Sequence, residues 1–277
     1  MNAPDAPYRP ELTDAARPAT FAVQAQDEDG ETRETLIAGE HPLTIYIDKR
    51  ELLTIMTLGA APEALAIGYL RNQRLLERIE DVVSVQVDWE VNAVAVTTRH
   101  GLKDLEAKTA RRTTTTGCGQ GTVFGDLMQE IDAVRLPQGA TLSRATLYAL
   151  LEQVRQHETI YKQAGAVHGC ALATNAAATS EILYFIEDVG RHNAVDAIAG
   201  MMWLDRVAGG DKIFYTTGRL TSEMVIKAAQ MQIPFLVSRS GLTQMGYEIA
   251  RKVGMTMIGR ATGKHFLLFT GSERFRS

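Results

Sequence analysis

The second half of this 277-residue chain alternates short apolar runs with helix-patterned stretches, and nothing else in the sequence restricts the fold as strongly. The runs cover 181–186, 212–215, 234–237 and 255–258, and helical segments are expected over 192–207, 222–231 and 242–253. Strand, helix and strand joined by short connections mean parallel strands with helices packed on the sheet. Ile213-Phe-Tyr and Phe235-Leu-Val are apolar throughout, which fits strands covered on both faces. A hairpin from 170–174 into 181–186 precedes the alternation, and a return strand at 265–269 closes it.

Four arginines sit just past the four runs: Arg191, Arg219, Arg239 and Arg260, each in a polar turn containing Gly or Ser. In open parallel sheets, ligands bind in the crevice beyond the carboxyl ends of the strands. The planar guanidinium fork suits phosphate oxygens. The pattern predicts a rim that holds a multiply phosphorylated ligand.

The turns themselves support that reading. Glu187-Asp-Val-Gly-Arg-His-Asn-Ala-Val-Asp196 is the densest polar cluster, with Gly190 permitting a tight turn ahead of a helix N-terminus that favours an anion. Asp188 can accept from the edge of a guanine, and His192 can carry a proton or donate to phosphate. Equally, Asp188 and Asn193 can be caps and His192 a satisfied hydrogen-bonding residue, and the two readings are compatible. In Thr217-Gly-Arg-Leu-Thr-Ser-Glu223, Gly218 opens the turn, Thr221 or Ser222 caps the next helix, and Arg219 faces the crevice. Ser238, Arg239 and Ser240 repeat the arrangement. The last turn, Ile258, Gly259, Arg260, Ala261, Thr262, Gly263 and Lys264, offers backbone N–H groups and two cations in the manner of a phosphate nest.

The first half reads differently. Residues 1–17 hold three prolines and no periodicity, and are expected to be a disordered arm. A small β-rich domain is expected over 18–110, with a hairpin turning at Lys49-Arg50 and a helix starting at Pro62, where Leu65, Tyr69, Leu76 and Ile79 share a face. Residues 111–125 form a Gly/Thr-rich loop, and 126–277 the α/β domain. In that second domain Ser143 is the expected N-cap of a helix running to about Tyr161, with Leu147, Leu151, Val154 and Tyr161 turned inward.

Of the two cysteines, Cys118 lies between glycines in the loop, where it reads either as a small apolar filler of a tight turn or as an unshielded thiol, with Arg111 and Arg112 as the candidate charges to favour its thiolate. Cys170 opens an apolar run and reads as a core thiol. Two cysteines make neither a disulfide framework nor a zinc site, and no metal is expected. A net charge of −4 argues against broad nucleic-acid binding. The lack of a long uncharged apolar stretch or a signal-like start points to a cytoplasmic protein without a membrane span.

The strings Glu187–Asp196, Thr217-Gly-Arg-Leu-Thr-Ser-Glu, Pro234-Phe-Leu-Val-Ser-Arg-Ser and Pro42-Leu-Thr-Ile-Tyr resemble the FdhD family, accessory sulfur carriers for formate dehydrogenase. The resemblance runs from about 35 to 270. It implies a cytidine-deaminase-like αβ sandwich in the C-terminal part, a β-rich N-terminal part and a homodimer. It also implies that Cys118 receives sulfur as a persulfide from a cysteine desulfurase. The sulfur then passes to the bis-molybdopterin guanine dinucleotide cofactor, which serves the catalytic subunit of formate dehydrogenase. Guanine nucleotides are expected to stand in for that ligand. Where the family usually has Cys-Gly-x-Cys-Gly, this chain has Cys118-Gly-Gln-Gly121, so the thiol neighbour that could resolve a persulfide is missing. That substitution keeps a second reading open, a chaperone that holds and inserts the cofactor.

Overall fold

A computed structural model describes residues 8–101, 131, 134–157, 159–176 and 178–277; Cys118, Gly121 and the 111–125 loop lie outside the described residues. The N-terminal part contains β1 (Glu11–Leu12), β2 (Thr20–Gln26), β3 (Thr32–Ala38), β4 (His41–Ile47), β5 (Arg50–Thr57), α1 (Pro62–Asn72), β6 (Val82–Asp88) and β7 (Ala93–Thr98). Five of the strands form one sheet in the order β1-β6-β7-β4-β5, while β2 and β3, among the described residues, pair only with each other. The β4–β5 hairpin turns at Asp48 and Lys49, with φ of +47° and +71°, one residue earlier than expected. Two consecutive left-handed residues give a turn whose twist matches that of the flanking strands.

Within the span read as an arm, Tyr8 to Arg17 is laid along this sheet. Glu11 and Leu12 pair in parallel with Ser84 and Val85. The Tyr8 hydroxyl donates to Val82 O, and Trp89 Nε1 donates to Ala15 O at 2.6 Å. Prolines and charges hid this docking, because backbone pairing and one indole anchor it rather than a periodic apolar face.

The C-terminal part contains β8 (Leu142–Ser143), α2 (Arg144–Gln156), α3 (Ile160–Ala164), β9 (His168–Ala173), β10 (Ile182–Asp188), α4 (Arg191–Leu204), β11 (Ile213–Thr216), α5 (Ser222–Gln230), β12 (Phe235–Ser238), α6 (Gln244–Val253), β13 (Thr256–Thr262), β14 (His265–Thr270) and β15 (Phe275–Arg276). Six strands lie in the order β10-β9-β11-β12-β13-β14. The last three runs of the alternation, β11, β12 and β13, are parallel as expected. β9 inserts antiparallel between β10 and β11, so β10 points the same way as β11 without touching it. All four carboxyl ends therefore reach one edge.

Both faces of this sheet are covered. Cys170, Leu172, Phe214, Leu236 and Met257 pack with Val195, Ile198, Met224, Val225 and Ile249 of α4, α5 and α6. The alternate residues Ala171, Ile213, Tyr215, Phe235 and Val237 pack with Leu147, Leu150 and Leu151 of α2. A mixed α/β protein with one sheet covered on both faces and a second sheet behind α1 is the result.

The helix expected over 143–161 is two helices. The Ser143 side chain accepts from Thr146 N as predicted, but His157 is extended and Thr159 caps a new helix, accepting from Lys162 N. Tyr161 is consequently half exposed rather than inward. The α1 pattern also breaks earlier than its apolar spacing suggests. Leu76 and Ile79 are buried beyond the helix, after Arg74 takes a left-handed φ of +56°.

The two parts meet through α1 and α4, which touch at backbone distance. A Cβ on Gly68 would lie 1.7 Å from Asp196 O, and one on Gly200 would lie 1.9 Å from Ala64 O. This explains why α1 is buried nearly all round: the five-stranded sheet covers one side and α4 the other. Gly68→Ala is expected to force the helices apart and cost about 1–3 kcal/mol or more. A urea midpoint unchanged from wild type would show that the contact is slack.

Candidate functional site

The shared edge is built from turns stitched to one another. After β11, Gly218 N donates to Thr216 Oγ1 at 3.0 Å, and Ser238 Oγ donates to Gly218 O at 2.6 Å. After β12, Ser240 N donates to Ser238 Oγ at 2.8 Å, and Arg239 N to Thr216 O at 3.2 Å. Arg260 N donates to Ser240 O at 2.9 Å. Such short side-chain-to-backbone bonds satisfy the turn groups locally and hold them rigid.

His168 opens β9 in the middle of this edge. Asp188 stands opposite it in the ladder, and Thr217 N donates to Gly169 O at 2.9 Å on the other side. Burial holds the His168 imidazole below its ordinary pKa, and Arg191, Arg219 and Arg239 depress it further. Three of the four predicted arginines therefore lie on this edge near enough to act on His168. Arg191 lies across Gly218, where a Cβ would come within 3.0 Å of Arg191 Cδ.

Arg260 is placed otherwise. β13 does not stop at Ile258 but runs on through Arg260, which is exposed with a φ of +51° inside a register shift against β14. The turn into β14 falls at Gly263 and Lys264. Ile258 is core, and Gly259 is pressed against Phe269 and Ser240 O.

A pocket of about 270 Å³ opens on the α2 face of the same edge. Arg155, Lys162, Glu187, Thr217, Arg239 and Thr262 supply its polar lining, with Ala261 and Gly263 beside them. The Arg239 guanidinium lies 5.5 Å from the centre of the Tyr161 ring, so it joins the rim to the pocket wall. Glu187 is buried and accepts from Ile160 N and Tyr161 N, at 3.2 Å from the latter, which ties α3 to the sheet. Burial raises the Glu187 carboxyl above its usual range, and the two N–H groups pull it back.

The polar cluster after β10 faces inward instead. Asp188 Oδ2 accepts from Thr57 Oγ1 at 2.5 Å and Leu58 N at 3.1 Å; Oδ1 accepts from Gly190 N at 3.0 Å and Asn193 Nδ2 at 2.7 Å. Asp188 is 4% exposed and clasps the β5 end of the five-stranded sheet to the six-stranded sheet. Asn193 Nδ2 adds a bond to Met56 O at 2.7 Å. His192 is 1% exposed, with Nε2 3.2 Å from Glu223 Oε2. Burial, with Lys227 and Arg191 close by, pushes its pKa down to about 2, so it is neutral at any physiological pH. Ser238 is fully buried in its stitching role, whereas Ser222 is half-buried in the first turn of α5.

Sequence reasoning missed His168, Glu187, Thr217, Tyr161 and Lys162 at this edge. Their signal is the pairing of β9 with both β10 and β11, which a local reading does not reveal. Among the described residues, no group of three His, Cys, Asp or Glu side chains is arranged to hold a metal ion.

The model of the FdhD/NarQ family matches residues 38–276. The chain belongs to that family. The sulfur carrier protein FdhD of Listeria innocua serovar 6a is 30% identical over 244 residues, covering 87% of this chain and 92% of that protein. The protein of the same name from Sulfurisphaera tokodaii is 30% identical over 254 residues, covering 90% and 95%. A crystal structure from Desulfotalea psychrophila, named a formate dehydrogenase accessory protein, superposes with a TM-score of 0.74 at 24% identity, over 93% of this chain and all of that one. That likeness shows the fold. Residues 38–276 take in β4 and every later element, so the edge carrying His168 and the three arginines lies wholly inside the matched span.

Proposed function

We propose that this protein carries sulfur for a molybdenum enzyme. A cysteine desulfurase persulfide is attacked by the Cys118 thiolate, the desulfurase thiolate leaves, and Cys118 holds the outer sulfur. The S–S bond at Cys118 then breaks: a cellular thiol reductant supplies two electrons and becomes a disulfide, and Cys118 is released as the thiol. The sulfur passes at the sulfide level to bis-molybdopterin guanine dinucleotide held at the sheet edge, a cofactor that serves formate dehydrogenase. In this reading Arg191, Arg219 and Arg239 hold the phosphates, while Ala261, Thr262 and Gly263 line the adjoining pocket. The observation that carries the reading is the placing of three arginines in the stitched turns of one sheet edge.

The cysteines divide in a way that supports it. Cys170 is fully buried, its Sγ donates to Thr216 Oγ1 at 3.3 Å, and burial pushes its pKa up to about 12. A thiol that stays protonated and unreachable cannot attack a persulfide. Cys118 is the only other cysteine in the sequence. We read the C-terminal layers as cytidine-deaminase-like, and the protein as a cytoplasmic homodimer.

Intact-protein mass spectrometry after incubation with a cysteine desulfurase and cysteine tests the transfer. A reducible sulfur adduct is expected on wild type and Cys170→Ala and not on Cys118→Ala. An adduct that persists on Cys118→Ala would overturn the assignment. The missing second thiol at Gly121 favours one other reading, a cofactor-holding chaperone. That reading requires Cys118→Ala to support an active dehydrogenase while Arg219→Ala does not.

A further inference from the structure

The carboxylate expected to meet a guanine edge, Asp188, has no acceptor position left for it. Its two oxygens take four hydrogen bonds, from Thr57, Leu58, Gly190 and Asn193. Successive residues of a strand point to opposite faces of the sheet. Glu187, one position earlier on β10, therefore points to the α2 face, where it lines the pocket of about 270 Å³. Among the described residues each of its oxygens accepts a single N–H, one from Ile160 and one from Tyr161. A carboxylate oxygen can accept two, so each keeps a position open.

The floor of the pocket is a row across four neighbouring strands. Gly169 of β9 pairs with Glu187 on one side. On the other side Gly169 N donates to Thr217 Oγ1 at 3.0 Å, and Thr217 N donates to Gly169 O at 2.9 Å. Arg239 follows β12, the next strand, and all four residues line the pocket. With strands about 4.8 Å apart, Glu187 and Arg239 are separated by about 14 Å at the backbone. Gly169 leaves the row bare between them, since a Cβ there would lie 3.1 Å from Phe185 Cζ and 3.6 Å from Glu187 Cγ. Leu151, Val154, Phe185 and Tyr215 give this slot apolar walls. An apolar slot with an acceptor at one end and a cation at the other suits a flat base that carries a phosphate chain.

We infer that Glu187 reads the base of the nucleotide: a guanine lies in the slot over Gly169, its N1–H and 2-amino group donating to the Glu187 carboxylate, with the phosphates leading toward Arg239. The inference rests on the nucleotide-binding reading of this edge given above, and it replaces Asp188 as the base-reading residue. Guanine turns two adjacent donors to one edge, and a carboxylate can accept both. Adenine and cytosine set a ring acceptor beside their amino group, which would face the carboxylate with like charge. The backbone donors of α3 favour the charged form of Glu187 that its burial disfavours.

Titration calorimetry on the full chain with GDP, xanthosine diphosphate and inorganic pyrophosphate tests this. Xanthine has an oxygen in place of the 2-amino group of guanine, so it turns an acceptor toward Glu187. Wild type is expected to bind GDP at least about tenfold more tightly than xanthosine diphosphate. Glu187→Gln is expected to reverse that order, because its amide can still accept from α3 and now donates to the xanthine oxygen. A Glu187 that only caps α3 would leave the ratio of the two nucleotides as it is. An unchanged ratio in Glu187→Gln, or equal affinities in wild type, would overturn the assignment, while the binding itself would leave the edge standing. Wild type that binds neither GDP nor pyrophosphate would overturn both readings. Gly169→Ala tests the slot without touching Glu187. It should weaken GDP and leave pyrophosphate as in wild type; unchanged GDP affinity would take the base out of the slot.

Discussion

Asp196→Ala is expected to lose about 3–5 kcal/mol of stability, enough to leave a protein of ordinary stability barely folded. Asp196 is fully buried on α4. Its Oδ2 takes Lys227 Nζ of α5 at 2.7 Å, and its Oδ1 takes Asn72 Nδ2 at the end of α1, also at 2.7 Å. Lys227 is 2% exposed and has Glu223 at 3.8 Å as a second carboxylate. Burial pushes the Asp196 carboxyl up, while Lys227 and Asn72 hold it in the charged form. Removing the carboxylate leaves a buried ammonium with only the more distant Glu223 and takes the Asn72 amide's acceptor away, which costs far more than the pair contributes when intact. The double change Asp196→Leu with Lys227→Met is expected to recover much of the loss, because it removes both charges and fills the space. Chemical denaturation of the three proteins measures this. A loss under about 1 kcal/mol for Asp196→Ala would mean that water reaches Lys227.

The second large effect concerns the edge. Replacing Arg191 and Arg219 together by Ala is expected to weaken GDP binding by about 100-fold or more, at roughly 1.5–3 kcal/mol for each hydrogen bond to a charged group. Titration calorimetry at fixed salt checks it, with far-UV circular dichroism to confirm that the variant folds. Neither residue contributes to the Asp188 clasp or the Asp196–Lys227 pair, so the fold should survive the change. A loss of less than threefold would move the phosphates away from His168. They would then sit in the pocket on the α2 face, with Arg155, Lys162 and Arg239.

The contrast between Asp188 and the arginines shows where a local reading stops. All came from the same pattern, polar residues just past an apolar run. Arg219 is exposed at its turn, and Arg191 lies along Gly218, which leaves its side chain room. Asp188 turns inward because Thr57 and Leu58, 131 and 130 residues away in sequence, present donors to it. Nothing near Asp188 in the chain announces those donors. The same holds for Tyr161, whose spacing matches the inward face of α2 but whose helix has already ended at Gln156.

Local chemistry was enough to determine the strand and helix succession from β9 to β14, the start of α1 at Pro62, the Ser143 cap, the β4–β5 hairpin and the burial of Cys170. Periodicity, caps and glycine or proline punctuation act over a few residues, and those interactions are present wherever the segment lies. The family followed from the same local strings. Only the tertiary structure decided that β9 separates β10 from β11, that His168 comes to the edge carrying the arginines, and that Asp188 and Asn193 clasp the two sheets. Strand order and buried polar pairing depend on which distant surfaces exclude water together, and a sequence states those surfaces without stating which ones meet.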